Sequence, residues 1–225
     1  MSSASIRRAV RHDSLLGTLI LLVLLAIAHS SLGQQPGQPP EASQPPAVFS
    51  GPQVGEKVVG FRVRELLGPR AGMTRDMVAE ANGQALVLFF LHEVTRPSVG
   101  LARQVLTYAA SLKDEPLYAG LVLLSSDATA TEQWVERARG ALPTGVPITV
   151  SLDGKEGPGS YGLNRNVAVT VLVVKENRVT ANFALVQPSL NVDGPKIAAA
   201  IAAAVGRPAP SLEDLQPKPG PARPR

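Results

Sequence analysis

The sequence predicts an α/β fold: a central mixed β-sheet with helices on both faces. Three observations point there. Residues 85–91 (ALVLFFL) form an unbroken apolar run, which suits a strand covered on both sides. A short polar turn, residues 92–98, leads straight into a segment with apolar side chains at Leu101, Val105, Tyr108, Ala109 and Leu112, the spacing of one helical face. The alternation then repeats as strand, helix, strand, helix, strand, before a hairpin and a closing helix.

In order, residues 61–66 (FRVREL) alternate apolar and polar, as a half-exposed strand does. Thr74 is expected to cap a short helical turn, with Asp76 near its start. After the strand at 85–91, Pro97 opens the next helix, where its missing N–H costs nothing. Residues 120–125 form a second buried strand. Thr131 or Thr129 is the expected cap of a helix carrying Trp134, Val135 and Ala138, which Gly140 ends. Residues 146–152 form a third strand. Residues 167–174 and 178–185 flank Lys175-Glu176-Asn177 and read as a hairpin. Asp193 is expected to cap a last helix that places Ile197, Ile201 and Val205 on one face, stopped by Gly206 and Pro208. No repeat is visible.

Both ends differ from this middle. Arg7, Arg8 and Arg11 precede an apolar run over residues 15–28, and Ser31-Leu32-Gly33 follows. This is the pattern of a secretory signal over residues 1–33. If uncleaved, residues 15–33 would instead tether the chain to a membrane. The protein is thus expected to be exported, to a periplasm or extracellular space. Residues 34–51 are Gln/Pro-rich and nearly uncharged, a linker composition. Residues 52–205 hold the folded domain, and the Pro-rich residues 206–225 read as a disordered tail.

The net charge is +4, and Arg7, Arg8, Arg11 and Asp13 carry +2 of it. The rest is too small to suggest nucleic acid. The chain has no cysteine, which removes disulfides, thiolate catalysis and thiolate metal sites together. No cofactor or metal is expected.

Several landmarks resemble the thioredoxin-like superfamily, in particular its redoxin branch of extracytoplasmic thiol oxidoreductases and peroxiredoxin-like proteins. Residues 54–61 (VGEKVVGF) resemble the entry of that branch. Residues 89–98 (FFLHEVTRPS) lie without gaps on its "FFWATWCxPC". Residues 161–179 (YGLNRNVAVTVLVVKENRV) are similar to its "YGV…VPTTFLIDKDGRV". The resemblance covers roughly residues 52–205 and implies a thioredoxin-like fold. It also implies that Thr95, Arg96, Pro97 and Ser98 stand at the redox motif, with Thr95 and Ser98 in place of its two cysteines. Ala168 stands at the family's cis-proline.

Thiol exchange needs a thiolate, and no hydroxyl replaces it. Nor does the turn suggest other chemistry. His92 reads as a solvated imidazole on a polar loop, and a lone histidine is poor zinc chemistry. Arg96 at a helix start could hold an anion, although a surface arginine is the simpler reading. Asp127 and Asp153 read as loop residues and Trp134 as a core anchor. The expected function is therefore binding. A groove between the turn (His92, Glu93, Thr95, Arg96, Ser98) and the facing segment (Val167, Ala168, Val169) would take a peptide or protein partner. The alternatives are a redox or antioxidant protein that borrows thiols from a partner, and a spacer between two flexible tails.

Overall fold

The computed structural model describes residues 48–211 and 213–215, which belong to a compact unit spanning Ala47–Arg225. The expected signal or anchor, most of the expected linker and residues 216–225 lie outside the described residues. No helix among the described residues is long and apolar enough to cross a membrane.

Seven strands form one mixed sheet: β1 (Arg62–Glu65), β2 (Thr74–Asp76), β3 (Ala85–Leu91), β4 (Leu117–Leu123), β5 (Ile148–Ser151), β6 (Val169–Lys175) and β7 (Arg178–Leu185). Their spatial order is β2-β1-β5-β4-β3-β6-β7. β3 is central. It runs parallel to β4 and antiparallel to β6, and every one of its residues is buried. Among the described residues, four α-helices accompany the sheet: α1 (Met77–Ala81), α2 (Arg96–Ser111), α3 (Ala128–Ala138) and α4 (Asp193–Ala204).

The alternation of side chains along β3 divides the core into two. Val87, Phe89 and Leu91 pack with Leu101, Val105 and Leu106 of α2, Val135 of α3 and Ile197 and Ile201 of α4. Leu86, Leu88 and Phe90 face the other way, onto Met77 and Ala81 of α1 and onto Phe61 and Tyr161. Phe61, Phe90 and Tyr161 touch as a three-ring cluster, with centroids 5.2–5.7 Å apart. Helices cover both faces, three on one and the single turn of α1 on the other. Gly120 allows this thin cover to sit close, because a Cβ there would meet Met77 Cε at 2.3 Å. Trp134 packs half-buried against the larger core.

Four sequence expectations shift. Thr74 does not cap a helix; it lies in β2, and Asp76 caps α1 by accepting from Val78 N–H and Ala79 N–H. Asp127, expected in a loop, caps α3 through Ala130 N–H in place of Thr129 or Thr131, because that helix starts earlier than the threonines suggest. Asp193 is the first residue of α4, not its cap, and its carboxylate accepts from Ser189 N–H in the preceding loop. β4 begins at Leu117, three residues early, because its pairing follows β3 along the full length.

The hairpin is as expected. Glu176 and Asn177 take positive φ values of 52° and 59°, as a two-residue turn matched to strand twist requires. The folded unit also reaches further than the change in composition. Ser50 is 1% exposed and hydrogen-bonds to Thr170 Oγ1 at 2.6 Å, and Leu215 is 4% exposed within the core.

Candidate functional site

Strand β3 ends at Leu91, and the chain turns at once into α2. Two backbone N–H groups of that turn, from His92 and Glu93, donate to the Ala168 carbonyl at 3.0 and 3.2 Å. This brings the turn and the facing segment together, as the sequence predicts. Thr95 is extended (φ −117°, ψ 162°) and caps α2, accepting from Ser98 N–H at 3.3 Å. Its hydroxyl also lies 2.6 Å from the Ser98 hydroxyl. Pro97 supplies no N–H, and that of Ser98 is taken by Thr95, so the helix start beside exposed Arg96 is short of donors for an anion.

The expected groove is largely closed. Ser98, Val167 and Val169 are fully buried and Ala168 is 4% exposed. The Ala168 N–H donates to the Leu185 carbonyl at 2.8 Å, so both its backbone groups are spent inside the fold. The described residues contain no cis peptide bond. Of the proposed binding residues, Glu93, Thr95 and Arg96 are exposed and His92 is half-buried. Val94 on the same turn is 50% exposed. What faces solvent is the crest of the turn rather than a cleft.

His92 is not the solvated imidazole that its loop suggests. Its Nε2 sits 2.9 Å from Thr170 Oγ1, which in turn contacts Ser50 Oγ, and Ser50 Oγ accepts from Asn164 N–H at 3.0 Å. Burial pushes the imidazole pKa down to about 4, because a charged ring would lose its hydration there. The imidazole therefore engages Thr170, a residue with no exposed surface, while Thr95 and Ser98 satisfy each other. No hydroxyl at the turn is paired with a base, so the arrangement lacks the nucleophile–base contact that acyl-transfer chemistry requires.

A polar cluster away from this turn escapes sequence reasoning. The Arg75 side chain is 4% exposed. It binds the Glu65 and Glu80 carboxylates and the Tyr118 hydroxyl. Tyr118 donates to Glu80 at 2.9 Å, and Arg70 approaches both carboxylates at 3.6 and 3.8 Å. The guanidinium of Arg75 holds the Glu80 carboxyl below its ordinary range. Burial and the Glu80 contact push the Tyr118 hydroxyl up. The partners lie 5, 10 and 43 residues from Arg75, and no local pattern marks them. The cluster joins β1, β2, α1 and β4, a structural clasp. Among the described residues, no group of three His, Asp or Glu side chains could hold a metal.

No protein-family model matches the sequence, and no curated protein does. Solved structures do match. A Chlorobium tepidum protein provisionally described as a thiol:disulfide interchange protein DsbE has a TM-score of 0.55 at 16% identity, covering 69% of this chain and 99% of its own. An uncharacterized conserved protein from Geobacillus kaustophilus gives 0.54 at 16% identity, covering 74% and 90%. A Bacteroides thetaiotaomicron protein provisionally described as a protein disulfide isomerase gives 0.51 at 12% identity, covering 68% and 94%. With the mixed sheet and its flanking helices, these similarities give the chain a thioredoxin-like fold, and its sequence contains no cysteine.

Proposed function

We propose that this is an exported thioredoxin-fold protein without redox activity of its own, acting in the cell envelope as a binding module for a peptide or protein. The observation that carries the reading is the turn from β3 to α2. It holds two hydroxyls hydrogen-bonded to each other at 2.6 Å, in a chain with no sulfur nucleophile to attack a disulfide or peroxide. Export rests on the basic flank and apolar run of residues 7–28. The exposed crest, with Glu93, Val94, Thr95 and Arg96, mixes one acid, one base and an apolar side chain on a rigid support, a composition suited to protein contact.

Both core clusters are built from residues of the unit Ala47–Arg225, so this unit can be handled as an autonomous domain. Insulin reduction and peroxide turnover by it should match the blank. Cross-linking to an envelope fraction should yield a discrete product that Glu93→Arg and Arg96→Glu each remove. Turnover only when a second thiol protein is added would favour the thiol-borrowing alternative, and an unchanged product in both variants would exclude the crest as the surface.

A further inference from the structure

Helix α2 has a flank that neither the core nor solvent claims. Leu101, Ala102, Val105, Leu106 and Ala109 are buried against the sheet, and Arg103 and Thr107 point outward. Between them, the loop after β7 and the segment after α4 wrap over the helix. Leu190 packs on Gly100, where a Cβ would meet it at 3.3 Å, and Leu215 enters the core. They border a half-open cavity of about 1010 Å³, at the upper end of the range for small-molecule sites. None of the residues of the β3–α2 turn lines it.

The walls are apolar at depth and cationic at the rim. Tyr108, Leu142 and Leu215 form the apolar part. Among the described residues, Arg103, Arg139 and Arg207 line the cavity against one carboxylate, Asp214. Arg139 and Arg207 already pair with Glu136 and Glu115, at 2.8 and 3.4 Å, whereas Arg103 meets no carboxylate among the described residues.

We propose that this cavity binds a small amphipathic organic anion, with an apolar body against Leu142 and Leu215 and a carboxylate-type head on Arg103. Guanidinium pairs well with such a head and repels a cation of equal length. The site is independent of the crest proposed above.

Calorimetric titration of Ala47–Arg225 with decanoate and decyltrimethylammonium, both below micelle formation, tests it. The expected result is saturable one-to-one decanoate binding, with the cation at least tenfold weaker. Arg103→Glu should weaken decanoate at least tenfold, and Arg103→Gln should act in the same direction. Thr107→Trp, which fills the cavity from an exposed position, should abolish binding while circular dichroism stays unchanged. Absence of saturable binding, equal affinity for the two heads, or binding that survives Thr107→Trp would overturn the proposal. Binding that appears only after residues 216–225 are removed would assign the cavity to the chain's own tail, and would overturn it too.

Discussion

The Thr95 and Ser98 hydroxyls are hydrogen-bonded at 2.6 Å across the first turn of α2. The two side chains therefore meet, so their inertness comes from oxygen and not from geometry. In Thr95→Cys/Ser98→Cys the thiols should close into an intramolecular disulfide under a glutathione redox buffer. The helix N-terminus should lower the pKa of the first thiol. Mass spectrometry would show the loss of two hydrogens, and alkylation would find no free thiol until reduction. Thiols that stay free under those conditions would mean that the turn does not hold the two positions together.

His92 gives a second test, because it is the only histidine of residues 47–225. Its imidazole resonance should titrate with a midpoint near 4 rather than 6.5. Between those values the unfolded chain binds a proton that the folded chain refuses, so stability is complete above pH 6.5 and declines as pH falls toward 4. His92→Gln should flatten that part of the stability profile in urea unfolding. A midpoint near 6.5 would show that the ring is hydrated.

These two sites differ in how far the sequence reveals them. The bounds of β3 and β7 are legible to the residue, because an unbroken apolar run has one way to be covered and the polar turn Lys175-Glu176-Asn177 sets where β7 begins. The juxtaposition of the turn with Ala168 is legible through the family resemblance. What is not legible is the environment of each side chain. Whether His92 is wet depends on Thr170 and Ser50, 78 and 42 positions away in the chain. Nothing local to Ala168 says that its carbonyl is taken twice. Helix starts are missed for a related reason: Asp, Thr and Ser are near-equal caps, so neighbouring candidates such as Asp127 and Thr129 are separated only by where packing lets the helix begin.

The clasp around Arg75 predicts an asymmetry. Arg75→Met removes the close partner of Glu65, whose side chain is 6% exposed, and leaves a buried carboxylate with only the half-exposed Arg70 at 3.6 Å, at a cost of about 3 kcal/mol. Arg75→Met with Glu65→Gln and Glu80→Gln should recover much of that loss. Glu80, whose carboxyl is held low by Arg75, contributes stability that is present above about pH 4.5 and lost as pH falls through its depressed value. In Glu80→Gln this acid-limb loss should shrink. Denaturant titrations between pH 3 and 7 measure all three variants. A single Arg75→Met cost below about 1 kcal/mol, the range of exposed ion pairs, would mean that the cluster is solvated.

Leu215 lies well past the end of α4, in a stretch whose proline content reads as tail, yet it is 4% exposed in the larger core. The intervening residues bring it there. Arg207 N–H donates to the Ala202 carbonyl at 2.8 Å, turning the chain back at the helix end. Asp214 then accepts from the N–H and hydroxyl of Ser211 at 2.9 and 2.8 Å, and this turn swings Leu215 inward. The Arg207–Glu115 pair adds little, since Arg207 is 58% exposed. Burial of the leucine should then dominate the segment's contribution. Leu215→Ala is expected to cost about 2 kcal/mol, the low end for a core leucine because a terminal segment can peel away. A chain ended after Gly206 should lose little more than that. Urea unfolding followed by the fluorescence of Trp134, the single tryptophan, reads both variants. If the truncation destabilises and Leu215→Ala does not, the segment holds by its backbone turns and not by its anchor.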